Sequence, residues 1–218
     1  MLSALAHCRT RRAVLRTRFD VAQQMDAIEE TCIPSYLHPN WAAASVAWAR
    51  LFAAARLARR HAPAGPVMDF GAASGELAHV LPPGTRYDFV EIDDRMAQAL
   101  QTHNATATRQ TLATLLHGQY AAIFALDSLE HNDNVGELVD AILPALRPDG
   151  VLIVSGPTEN ALYRLGRRIA GFSGEYHKTT IYHIEQEIGR SMQLVQRTRL
   201  PFGVPLFSVS CWRRPTAA

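Results

Sequence analysis

A chain of 218 residues with 48% hydrophobic and 19% charged residues has room for one sizeable core and is short for two full domains. It holds no repeat and no low-complexity block, which excludes general disorder. The net charge of +2 conceals an asymmetry, because residues 1–60 carry nine Arg against four acids and residues 61–218 carry thirteen basic against sixteen acidic residues; with 21 of the 22 basic residues Arg, composition explains them better than a row of phosphate contacts, and no nucleic acid partner is expected.

At the amino terminus a mildly apolar stretch precedes the Arg cluster instead of following it, the wrong order for a secretory signal. The charge-free run over 31–49 contains Pro34, His38, Pro39 and Asn40, so it makes a poor membrane span. Cys8, Cys32 and Cys211 are few, odd in number and far apart, which argues against a disulfide framework and for the cytoplasm. Residues 41–60 place Trp41, Trp48, Leu51 and Phe52 at helical spacing with Arg in the last turn, a helix expected to pack on the sheet that follows. "HAPAGP" then breaks it. The expected organisation is a helical segment over 1–62 packing on a core domain over 63–218.

Beyond the break, strands and helices alternate. Residues 67–70 predict a strand, 75–81 a helix, 87–92 a strand, 94–103 a helix and 106–110 a weak strand; 120–126 predict a strand, 135–146 a helix and 151–155 a strand that starts after the turn signal "RPDG". Strands apolar throughout and separated by helices imply a doubly wound α/β architecture with helices on both faces. The closing runs "MQLVQRTRL" and "LFSVSCW", separated by "PFGVP", are close enough to pair as an antiparallel hairpin at a sheet edge.

The first strand runs into Asp69-Phe70-Gly71-Ala72-Ala73-Ser74-Gly75. In an open α/β sheet such a turn faces the ligand. A P-loop is excluded because Gly-Lys-Ser/Thr is missing. A dinucleotide fingerprint requires glycine at Ala73 and Glu76, which disfavours a nicotinamide oxidoreductase. What fits is acid, any, Gly, any, Gly/Ala, any, Gly, with a second acid at Asp93 in "YDFVEIDD".

On these residues, and on the order of "YAAIFALDSLEH", "LPALRPDGVLIVSGPTEN" and the closing hairpin, the chain resembles the class I S-adenosylmethionine-dependent methyltransferases that act on small molecules, over about residues 65–212. The resemblance implies a Rossmann-like, doubly wound seven-stranded sheet, mostly parallel, with a C-terminal antiparallel hairpin and added N-terminal helices. It implies S-adenosyl-L-methionine as cofactor, with Gly71, Ala73 and Gly75 approaching its amino-acid end, Asp69 supporting the turn, and Asp93 accepting from the ribose hydroxyls. Leu126 and Asp127 would border the methionine moiety and the acceptor. The adenine amino group often meets an acid in this family; none stands in "ATRQTLATLLHGQY", so Gln110 or Thr111 would serve.

Methyl transfer from a sulfonium needs alignment and exclusion of water, and a hydroxyl acceptor also needs a base. His131 and His177 are the candidates for that base, with His183, Tyr36, Tyr163 and Tyr176 as further wall residues. The expected acceptor is a small molecule, at oxygen more than nitrogen. A metal-assisted variant would draw on Asp127, Glu130 and His131, as in similar ubiquinone-biosynthesis and small-RNA methyltransferases; no metal is assigned. A non-catalytic module that keeps the fold is the alternative of another class. The segment "PTENALYRLGRRIAGF" reads as a helix with Leu162, Leu165 and Ile169 on one face, ordinarily a core contact under a solvated face; the other readings are a lid over the acceptor or, with the Arg-rich start, a peripheral membrane contact, which keeps an amphiphilic acceptor open.

Overall fold

The protein is described by a computed structural model, which covers residues 2–29, 31–164, 178–201 and 204–215. Its centre is set by two strands with no exposed position, Val67–Phe70 (β1) and Tyr120–Leu126 (β4). A run of apolar residues on both faces of a strand can be satisfied only between two layers, so these strands lie inside the sheet. β1 pairs in parallel with Tyr87–Val90 (β2) and with β4, and β2 pairs with Thr108–Gln110 (β3). On the other side β4 pairs in parallel with Leu146–Pro157 (β5), and the hairpin Gln193–Leu200 (β6) and Phe207–Arg213 (β7) closes that edge antiparallel. The order is β3-β2-β1-β4-β5-β7-β6, with the strand sequence reversing direction between β1 and β4.

One face of the sheet is covered by Val135–Ile142 (helix α6 below) and Ile181–Ile188 (α7). Val139, Ile142, Ile181, Ile184 and Ile188 join Met68, Ile123, Leu152, Val154 and Trp212 in one buried cluster, each fully buried Ile contributing about 2 kcal/mol. At the amino ends of the strands Asp88 is buried and its Oδ2 accepts from Tyr120 Oη (3.0 Å) and Gln119 (3.3 Å). That network ties β2 to the start of β4, at the end of the sheet opposite the glycine turn.

By internal contacts the chain divides into Met1–Ala49 and Arg50–Ala218. The first unit holds α1 (Leu2–Arg18), α2 (Val21–Ile28), α3 (Ile33–Leu37) and the opening turns of α4 (Trp41–His61). Asp20 caps α2 by accepting from Ala22 and Gln23, a contribution of about 1 kcal/mol. Arg12 is buried, donates to the carbonyl oxygens of Tyr36 and His38, and stands 4.4 Å over the Trp41 ring. One member of the Arg cluster is therefore a structural clamp, satisfying the free carbonyls at the end of α3. Helix α5 (Asp94–His103) belongs to the second unit, as do α6 and α7.

The expected architecture is the observed one, with local differences, among them a β3 that starts at Thr108 instead of 106 and a β5 that runs on to Pro157. The helix expected over 75–81 is a single 3-10 turn, Glu76–His79, because Pro82 and Pro83 follow at once and cannot continue a helix. The helix expected over 135–146 ends at Ile142 and tightens into a 3-10 turn, Leu143–Ala145, at Pro144. β5 starts at Leu146 instead of 151, with residues 147–150 out of register between the Leu146 and Val151 pairings. β2 ends at Val90, two residues before the expected end. Of "PTENALYRLGRRIAGF", residues 157–164 are described, with a helical turn over 161–164, and residues 165–172 lie outside the described residues.

Candidate functional site

The turn after β1 is built from left-handed residues. Gly71 has φ +73°, Ala73 +45° and Gly75 +74°. A Cβ at Gly71 would stand 2.4 Å from Ser128 Cβ, and one at Gly75 2.6 Å from Leu100 Cγ. Both positions demand glycine twice over, for conformation and for space. The contact at Gly71 also shows that the residues just after β4 pack directly against this turn. Ala73 keeps the same left-handed conformation without being glycine, at a cost of about 1 kcal/mol.

The acid beside the turn is Glu91. Because β2 ends at Val90, opposite Phe70, Glu91 is the first residue beyond the sheet, and its carboxylate reaches back over the turn. Oε2 accepts from the Ala73 amide (2.8 Å) and Oε1 from the Asp93 amide (3.0 Å). Arg109, on β3, donates to the Glu91 carbonyl from Nη2 (2.7 Å) and Nε (3.2 Å) and pairs with Asp94 at 2.7 Å, so the backbone at Glu91 is clamped. Ile92 follows at 93% exposure, an apolar plate beside this acid.

Asp93, the acid singled out from the sequence, is engaged elsewhere. It is the N-cap of α5, accepting from the Arg95 and Met96 amides, and its carboxylate pairs with Arg95 at 2.9 Å. That Arg95 hydrogen bond, more than the backbone amides, holds its carboxyl below the usual range. Asp69 lies under the turn, buried, accepting from Tyr87 Oη at 2.5 Å. Burial, reinforced by the Glu91 charge and opposed by the Tyr87 hydrogen bond, pushes it up to about 7. Thr111 stands past the end of β3, capping the 3-10 turn Leu112–Thr114 in a reciprocal box with Thr114, whose hydroxyl also donates to Gln110.

Beyond the ends of β4 and β5 is a second group of charges. Leu126 ends β4 in the core, and Asp127 follows with φ +52°. Arg50, on α4, places Nη1 3.1 Å from Asp127 Oδ1, with both side chains nearly sealed from solvent, and its guanidinium lies 4.2 Å over the Phe207 ring. Glu130, in the 3-10 turn Leu129–His131, is fully buried and neither carboxylate oxygen has a hydrogen-bond partner. Burial first and the Asp127 charge second push its carboxyl well above the usual range, against the pull of Arg50; Glu159 adds to the rise. Glu159, after β5, has φ +50°. The three non-glycine residues with left-handed backbone among the described ones are thus Ala73, Asp127 and Glu159, all at the carboxyl end of the sheet, where strain concentrates when a site fixes the chain.

His131 is partly buried and ends the same 3-10 turn as Glu130. His183 sits exposed on α7, and Tyr163 packs edge-on against Phe207 at 5.2 Å. Tyr36 belongs to the first unit, stacked at a tilt on Trp48. His177 and Tyr176 lie outside the described residues. Among the described residues no three His, Cys, Asp or Glu side chains are placed so that they could hold a metal ion. No helix of the described residues is long and apolar enough to cross a membrane.

Sequence reasoning passed over Glu91 and Arg50. Arg50 had a signal, since it is the one charged residue between positions 31 and 55, set in an alanine-rich helix where a solvent-facing charge has no reason to stand alone.

A doubly wound sheet with a left-handed glycine turn after β1, an acid at the end of β2 and a closing antiparallel hairpin defines the class I S-adenosylmethionine-dependent methyltransferases. A family model described as "Methyltransferase domain" matches residues 41–196, and the chain belongs to that family. Solved structures with the same fold include the N-methyltransferase NodS from Bradyrhizobium japonicum in complex with S-adenosyl-l-homocysteine, at 13% identity and TM-score 0.61, covering 77% of this chain and 87% of that one. The CcbJ methyltransferase from Streptomyces caelestis matches at 18% identity and TM-score 0.58 over 77% and 90% of the two chains. Magnesium protoporphyrin IX methyltransferase from Synechocystis matches at 17% and 0.57 over 81% and 88%. A comparison with curated protein sequences gives no match.

Proposed function

We propose that this methyltransferase moves the methyl group of S-adenosylmethionine to a small-molecule acceptor, with the turn over 71–75 and Glu91 holding the cofactor. The observation that carries the reading is the Glu91 carboxylate lying on the Ala73 amide. Each of its oxygens uses one lone pair on an amide and keeps another for a hydroxyl donor, which suits the two vicinal hydroxyls of a ribose. The residues present fit an adenosyl group in other respects. Ile92 offers an exposed apolar face beside that acid, Thr111 and Gln110 stand at the end of the neighbouring strand, and the Gly71 and Gly75 positions let the backbone come close to a ligand.

In this reading Glu91 takes the ribose role expected of Asp93, and Asp93 holds the start of α5. Gly71, Ala73 and Gly75 approach the amino-acid end, Asp69 braces the turn from below, and Leu126 and Asp127 border the methionine moiety. The cofactor supplies an electrophilic methyl on a positively charged sulfur. The protein supplies position and dryness: the Gly71–Ser128 contact fixes the acceptor-side segment against the cofactor turn, which is what an in-line displacement needs.

The catalytic domain is the one read at 63–218 together with α4 from Arg50 onward, working in the cytoplasm. Calorimetric titration with S-adenosylmethionine tests the reading, and turnover of labelled cofactor on a metabolite extract separates an enzyme from a non-catalytic module with the same fold. Binding without turnover on any acceptor favours the module.

A further inference from the structure

Resting on the methyltransferase reading, we propose that the acceptor carries a basic amine, and that Glu130 receives its ammonium group and takes up the proton before methyl transfer.

At the carboxyl ends of β4 and β5, Asp127 and Glu159 both act electrostatically on Glu130, and among the described residues the cation acting on Glu130 is Arg50. Arg50 is engaged by Asp127 and by the Phe207 ring, so its charge is directed at Asp127. Glu130 is the informative member. It is fully buried, both of its oxygens lack a hydrogen-bond partner, and its backbone carbonyl is bound by the Lys178 amide (2.8 Å) and more weakly by the Thr179 amide (3.3 Å). A buried carboxyl left unmatched is costly and is kept where a ligand completes it. An ammonium offers three N–H donors to a carboxylate's two oxygens, whereas a hydroxyl offers one. A cation also gains from the surrounding acids, and a hydroxyl does not.

The placement supports transfer as well as binding. The Asp127–Ser128 segment rests on Gly71 of the cofactor turn, so a group seated by Glu130 is on the acceptor side. A protonated amine has no lone pair to attack with. Glu130, as carboxylate, takes one proton from the ammonium; the freed lone pair forms the bond from nitrogen to the methyl carbon, and the electron pair of the broken carbon–sulfur bond stays on sulfur. Positive charge passes from sulfur to nitrogen, and Glu130 later returns its proton to solvent. Nitrogen, not the oxygen expected from the sequence, is then the atom methylated.

The test uses the full chain saturated with S-adenosylhomocysteine, whose binding in the same calorimeter is measured first, so that failure of the cofactor reading is seen separately. Benzylamine is then titrated against benzyl alcohol in buffers of different ionisation enthalpy. The expected result is at least about tenfold tighter binding of the amine with net proton release, because a neighbouring ammonium draws the raised Glu130 carboxyl back toward its ionised form. Glu130→Gln, a neutral isostere, should abolish both the preference and the proton release, raise thermal stability at pH 7 because the buried acid is gone, and leave S-adenosylhomocysteine affinity unchanged. Glu159→Gln should weaken amine binding severalfold and keep the proton release. No preference for the amine, whether through equal binding or none, or a preference that survives in Glu130→Gln, overturns the proposal.

Discussion

Glu91 accepts a 2.8 Å hydrogen bond from the Ala73 amide, so the first residue after β2 fastens the middle of the turn after β1. This one contact joins the carboxyl ends of two neighbouring strands, β1 and β2, beside the β1–β4 junction where the sheet reverses its order. It also separates the jobs of two acids that stand two residues apart, with Glu91 over the turn and Asp93 at the head of α5.

Asp93→Ala should therefore act on stability. Losing the cap of α5 is expected to cost about 1 kcal/mol, measurable by urea unfolding, with little change in the shape of the far-ultraviolet spectrum. A stability equal to the parent protein would contradict the capping role.

The two kinds of constraint on glycine can be separated experimentally. Gly84 has φ +79° with open space around it, whereas Gly71 has φ +73° and a side chain in the way. Gly84→Ala should cost about 1 kcal/mol from backbone conformation alone. Gly71→Ala adds overpacking against Ser128 and should cost a further ~1–3 kcal/mol. Equal losses at both positions would mean that Ser128 moves aside freely.

Ala73 makes the opposite prediction. Its left-handed backbone is strained, so Ala73→Gly should relieve up to about 1 kcal/mol, offset in part by the added freedom of the unfolded chain. Cofactor affinity should stay the same or rise. A marked loss of affinity would show that the Ala73 methyl group itself contacts the ligand.

Stability should fall as pH rises through the range set by Asp69. Its carboxyl is raised from 3.8 to about 7 in the folded protein. Below about pH 4 it is protonated in both states; between there and pH 7 the unfolded chain loses the proton while the native one keeps it. The native state is thereby destabilised by on the order of 4 kcal/mol across that window. Glu130 acts in the same direction. Asp69→Asn should reduce the slope between pH 4.5 and 7.5 in urea unfolding, leaving the part due to Glu130, and parallel profiles for the two proteins would contradict the assignment.

The order of the sheet was legible because its strands differ in kind from what separates them. β1 and β4 are apolar at nearly every position and bounded by turn residues, and α5 shows Met96, Ala97 and Leu100 on one face behind a capping acid. What the sequence could not supply was register. "YDFVEIDD" offers three acids in four positions at the end of one strand, and only the pairing of Val90 with Phe70 decides which of them emerges over the turn. Arg50 was hidden for a related reason: its partner Asp127 is 77 positions away, and nothing local couples them. The string Asp127, Glu130, His131 suggested a metal site, while the folded chain brings a guanidinium from α4 to Asp127.

The central claim is that Glu91, at the turn over 71–75, anchors S-adenosylmethionine, and calorimetric titration of the parent protein, Glu91→Ala and Asp93→Ala tests it most directly. The account predicts one-to-one binding by the parent, affinity at least about tenfold weaker in Glu91→Ala, and near-parental affinity in folded Asp93→Ala. No binding by the folded parent, or a loss confined to Asp93→Ala, would contradict it.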